Sequence, residues 1–164
     1  MLNLKELNAA SDEEFTARVG HVFEHSPWVA ERTVGRRPFA GIADLHGAMC
    51  ETVRGAGVDE QLALIRAHPD LVGRAALTSE SQSEQTSAGL GDLSREEVEC
   101  FQEFNSAYRE RFGFPFVICA RINKKEAILR AFPERLENPR EKEIETALAE
   151  IYKIAELRLR DLIQ

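Results

Sequence analysis

Basic residues are too few and too scattered in this chain to form a nucleic-acid surface. Lys and Arg number 21 against 28 Asp and Glu, for a net charge of −7 and a pI near 5.2. Phosphate neutralisation needs clustered Lys and Arg, so no nucleic-acid partner is expected. No apolar run approaches the roughly 20 residues of a membrane-spanning helix, and no membrane partner is expected. Met1 to Ala10 carries charge early and has no apolar centre, which argues against a secretory leader. Leu162-Ile163-Gln164 is not a peroxisomal tripeptide. Cysteine is sparse: Cys50, Cys100 and Cys119 are odd in number and far apart. That spacing suits neither a metal site nor a disulfide framework, and a reducing cytoplasm is the expected compartment.

Strand-type alternation is also missing, whereas helix signals recur. The 164 residues, 43% hydrophobic and 30% charged, suffice for one domain with a real core. Ser11-Asp12-Glu13-Glu14 reads as a capping box, with Phe15, Val19, Val22 and Phe23 on one face. A short helix is predicted from Pro27 to about Val34, and another from Ile42 to Arg54, ended by Gly55 and Gly57. Asp59 is the expected cap of a helix carrying Leu62, Leu64 and Ile65. Thr78 to Gly91 reads as a solvated loop with one helical turn at most. Ser94 to Glu97 is a second capping box, opening a helix with Phe101, Phe104 and Tyr108 that ends near Gly113. Asn123 is the expected cap of a helix through Ala131. Asn138-Pro139 opens the longest helix. The class is all-α, a single-domain bundle of about eight helices.

Three features stand outside this pattern. His68-Pro69-Asp70-Leu71 places an imidazole and a carboxylate near polar loops, where a proton moves at little cost near neutral pH. Pro69 fixes its own dihedral, so a helix ending at His68 would hold that ring at a rigid corner. The plainer reading is a surface or capping histidine. Second, steps of three and four along the last helix give Ile144, Leu148, Ile151, Ala155, Arg158 and Leu162. Five are apolar and one is a guanidinium. Arg158 either snorkels, pairs with Glu84 or another carboxylate, or clamps an anion with its planar fork. Third, Phe112 to Ala120 is too apolar for a surface loop, yet Gly113 and Pro115 argue against helix. Its buried peptide groups need partners, from the protein or from an amide-rich heterocyclic ligand.

With Glu84-Gln85-x-x-Ala88-Gly89-Leu90, Phe104-Asn105-x-x-Tyr108, Arg135-Leu136-x-Asn138 and Glu150 to Leu159, these segments resemble the 2-oxo-4-hydroxy-4-carboxy-5-ureidoimidazoline (OHCU) decarboxylase family. The resemblance spans most of the chain in the expected order. It implies one all-helical domain over residues 1–164, usually a homodimer, with no metal or organic cofactor. The implied activity is decarboxylation of OHCU, a small-molecule substrate, to (S)-allantoin in urate degradation. Carried over by position, the catalytic histidine falls on His68, with Pro69 lining the site. The substrate-contacting glutamate falls on Glu84, in a polar stretch of Ser81, Gln82, Ser83 and Gln85. The backbone-contacting loop falls on Phe116, Val117, Ile118, Cys119 and Ala120, and the substrate-binding arginine on Arg158.

Two other readings compete. A metal-dependent hydrolase would use His21, His25, His46 or His68 with carboxylates. His21 and His25 lie four apart on a predicted helix, although no HExxH is present. A non-catalytic helical interaction module predicts an exposed apolar groove and no need for Arg158 on a core face.

Overall fold

The computed structural model describes residues 1–73 and 77–164. Among them, nine α-helices and three short 3-10 turns carry the chain. The extended pairing found there is a single parallel bridge, Leu2 with Ile163. The all-α expectation stands, and the two helices that no segment of the sequence analysis marks are short ones, at residues 4–9 and 79–87. By its contacts the chain divides into Met1–Ala67 with Tyr152–Gln164, and His68–Ile151.

In the first unit, Asn3 caps α1 (Leu4–Ala9) by accepting the Lys5 N–H at 2.8 Å. Ser11 Oγ accepts the Glu14 N–H at 3.1 Å and opens α2 (Asp12–Val19). Phe15, Val19, Val22 and Phe23 are all buried, but the helix stops at Val19 and a 3-10 turn over Gly20–Val22 follows. That stop corrects the metal reading. His21 lies in the 3-10 turn and His25 beyond it at φ +46°, so the two rings do not share a helical face. α3 (Trp28–Thr33) follows Pro27, and α4 (Ile42–Arg54) covers the expected residues. α5 (Val58–Arg66) starts after Gly57; Asp59 is not its cap but sits in its first turn, where a carboxylate suits the helix dipole. α2 packs on α3 and α3 on α4. The end of the chain's last helix completes this unit, with Ala155 and Leu159 fully buried.

In the second unit, α6 (Ser79–Ser87) replaces the expected loop. Thr78 Oγ1 caps it by accepting the Ser81 N–H at 3.2 Å. No Gly or Pro interrupts the segment, and Ser81, Glu84, Gln85 and Ala88 are buried at positions i, i+3, i+4 and i+7. The stripe has helical period but polar content, which apolar periodicity does not register.

Ser94 and Glu97 complete a reciprocal capping box at the start of α7 (Arg95–Phe112), and Gly113, at φ +79°, ends it. α8 (Lys125–Leu136) begins after Asn123, which instead donates its amide to the Cys119 carbonyl at 3.0 Å. It runs past Ala131 and through Pro133 because Ile128, Phe132 and Arg135 share one buried face. α9 (Arg140–Leu162) is the longest helix. An aromatic cluster fills this unit. Phe116 stacks on Phe132 with ring centres 3.8 Å apart, and Phe104 stacks on the same ring at 5.0 Å.

Candidate active site

α5 ends at Arg66, two residues before His68. His68 is buried, with 6% of its surface exposed. This excludes the surface-histidine reading. After Pro69 the backbone turns sharply, and Val72 adopts φ +57°, a region that β-branched residues rarely occupy. Side chains from two helices hold this turn. Gln85 of α6 accepts the Val72 N–H at 3.1 Å and donates to the Asp70 carbonyl at 3.4 Å. Asn105 of α7 donates to the Leu71 carbonyl at 2.7 Å. Arg109, one turn further on, meets the Asp70 carboxylate at 2.9 Å.

The same α6 buries Glu84 and Ser81, while Gln82 and Ser83 are exposed. Residues Phe116 to Ala120 are buried, the first four in non-helical backbone, and the 3-10 turn over Ala120–Ile122 packs on α6. Two buried charges set the course of this strand-like segment. Arg135 Nη1 donates to the Val117 carbonyl at 2.6 Å, and Glu150 accepts the Cys119 N–H at 3.1 Å. Arg135 also lies over the Phe116 ring at 4.1 Å and donates to Glu143 at 2.7 Å. Glu143 in turn accepts the Tyr108 hydroxyl proton. Burial pushes the Tyr108 phenol well up, with the Glu143 hydrogen bond adding to it against the opposing Arg135 charge. Burial likewise raises the Cys119 thiol, helped by the carboxylates of Glu150 and Glu84. A neutral buried thiol is a poor nucleophile. This part of the buried-connection reading holds: protein side chains satisfy peptide groups at 117 and 119.

Arg158 belongs to the first unit and is 4% exposed. Its Nη2 donates to Glu24 at 2.9 Å and its Nη1 reaches the Val22 carbonyl at 3.5 Å. Glu24 is 1% exposed, so the unidentified carboxylate of the sequence reading is Glu24. Snorkelling is excluded, since the whole side chain is only 4% exposed.

His46 contacts the Tyr152 carbonyl at 2.7 Å and the Cys50 thiol at 3.4 Å. Among the described residues, no group of three or more His, Cys, Asp or Glu is arranged to hold a metal. Sequence reasoning missed Glu24, Asn105, Arg109, Glu143 and Glu150 as buried or binding partners. For Asn105 a signal existed: it stands four residues after Phe101 and three before Tyr108, on the buried face of α7.

Residues 8–160 match the family described as OHCU decarboxylase. The 2-oxo-4-hydroxy-4-carboxy-5-ureidoimidazoline decarboxylase of Haloferax volcanii is 46% identical over 158 residues, covering 96% of this chain and 94% of that protein. Among solved structures, a crystal structure of (S)-allantoin synthase superposes with a TM-score of 0.83 at 31% identity over the whole of this chain. This chain spans only 54% of that one. A crystal structure of OHCU decarboxylase in the presence of (S)-allantoin gives a TM-score of 0.71 at 25% identity, covering 93% of this chain and 98% of that one.

Proposed function

This chain belongs to the OHCU decarboxylase family, and from that membership we propose that it converts 2-oxo-4-hydroxy-4-carboxy-5-ureidoimidazoline to (S)-allantoin in urate degradation. The observation that carries the reading is a buried imidazole, His68, on a turn held by the helix that also buries Glu84.

The chemistry needs no electron sink beyond the substrate. The departing carboxylate sits on a carbon next to an imine carbon. As the C–C bond breaks, its electron pair moves toward that C=N, and protonation of one face then sets the (S) configuration. Metal and organic cofactors are not required. The protein must orient the carboxylate out of the ring plane, stabilise the electron-rich intermediate and deliver the proton from one side. Positioning and preorganised donors supply such effects.

His68 is the acid–base group. Glu84 accepts hydrogen bonds from ureido or ring N–H groups, and Pro69, Ser81 and Gln85 flank it. Backbone groups of the Phe116–Ala120 segment pair with the ring amide. Arg158 holds the anionic substrate, with a grip short of that which would stabilise the ground state and slow release of carbon dioxide. The working form is a homodimer of single-domain chains in a reducing cytoplasm, which suits three cysteines without a disulfide.

Freshly generated substrate, followed by circular dichroism of the product, tests this reading. Optically active allantoin forming faster than spontaneous decay is the expected result, because only a chiral catalyst yields it. His68→Ala lowers turnover by about 100-fold or more with helical signal unchanged. Racemic product at the uncatalysed rate removes the assignment, and parent-like turnover in His68→Ala removes the role of that residue.

A further inference from the structure

We propose that Asn105 is a positioning residue for His68, acting through the Asp70–Leu71–Val72 turn. The inference rests on the reading of His68 as the acid–base group. Pro69 has little freedom of its own, so the placement of the His68 backbone follows what the next three residues do. Val72 holds a conformation that persists only where its surroundings over-determine it. Three side chains supply that constraint, and they are not equivalent. The Arg109–Asp70 pair is 46% and 28% exposed, so solvent weakens it. Gln85 and Asn105 are buried, and the 2.7 Å bond from Asn105 to the Leu71 carbonyl is the shortest of the set.

Asn105 occupies a position that the pattern of α7 reserves for the core, between Phe101 and Tyr108, and is 8% exposed. Its amide nitrogen serves Leu71, while its amide oxygen has no partner among the described residues. A buried acceptor left unmet is unfavourable, so the asparagine carries a cost at this position that its bond to Leu71 offsets. The donor function toward the turn is what the asparagine supplies. Gln85 is committed in the same way, with both ends of its amide on the turn. Its side chain therefore acts on the corner rather than on substrate.

Two variants test the inference: Asn105→Ala, which removes the amide, and the isosteric Asn105→Asp, which keeps the shape and loses the donor. Steady-state kinetics on chiral allantoin formation are measured alongside thermal midpoints, with Ile128→Val, at a buried position of α8, as a core control. Both Asn105 variants are expected to lose about tenfold or more in kcat, as a misplaced catalytic group does, with KM within about threefold of the parent. The control loses midpoint but keeps kcat. A folded Asn105 variant with kcat within about twofold of the parent, or with its loss confined to KM, overturns the positioning role. Should Asn105→Ala fail to fold, Asn105→Asp decides. His68→Ala separates the two levels. If it loses turnover while the Asn105 variants keep it, positioning alone fails; if it keeps turnover, the acid–base reading fails and takes this inference with it.

Discussion

Arg158 and Glu24 show how one pair of side chains restricts what a site can be. A guanidinium and a carboxylate, both almost fully buried, lie 2.9 Å apart at the end of α9. Desolvating two charges is costly, and their attraction offsets this only while both are present. Glu24→Ala removes one partner of a buried ion pair, and a loss of about 3–5 kcal/mol in unfolding free energy is expected from denaturant titration. Arg158→Lys keeps the charge but loses the planar fork. Under the proposed role, KM for the decarboxylation substrate rises in this variant while the helical signal is kept. Unchanged KM and kcat would leave Arg158 as a structural partner of Glu24. The sequence exposed Arg158 because it broke an apolar period. It hid Glu24, which follows Phe23 in an irregular segment where no period exists to be broken.

Helix α7 is the element whose ends were most legible, because local chemistry sets both. Ser94 and Glu97 satisfy each other's backbone donors, and Gly113 takes the left-handed conformation that stops the helix. A methyl at Gly113 would meet nothing within 4 Å, so Gly113→Ala tests backbone strain alone. A loss of about 1–2 kcal/mol is expected in thermal or denaturant unfolding. At the other end, the Ser94 N–H and then Lys125 hold the Glu97 carboxyl below its usual 4.5. A depressed carboxyl contributes stability above its unfolded pKa and loses it as pH falls through the lower folded value. The midpoint difference between parent and Glu97→Gln should therefore be largest near neutrality and shrink below pH 4.5; a difference independent of pH would place the effect elsewhere. α6 was illegible for the opposite reason. Its buried stripe of Ser81, Glu84, Gln85 and Ala88 carries almost no apolar signal, and its stability comes from what it packs against and binds.

Across the whole chain, thiol chemistry follows burial. Desolvation raises the Cys50 thiol to about 11 against the opposing charge of Arg54, and burial raises Cys119 as well. Near pH 8 the Cys50 thiol therefore stays protonated. An aromatic disulfide reagent should label Cys100, which is partly exposed, before Cys50 or Cys119; equal rates for all three in the native protein would contradict this packing. No helix among the described residues is long and apolar enough to cross a membrane.

By itself the sequence determined the helical class, both ends of α7 and the span of α4, along with the singularity of His68 and Arg158. Caps, glycines and apolar periods act over three or four residues, and such short-range chemistry is written in the order of the letters. Only the tertiary structure decided that Glu24 meets Arg158 across 134 positions. It alone brought Asn105 to the corner after His68, and set Arg135 and Glu150 on the peptide groups of Val117 and Cys119. Partners so far apart are chosen by what burial leaves without water, and that is settled when the chain is packed.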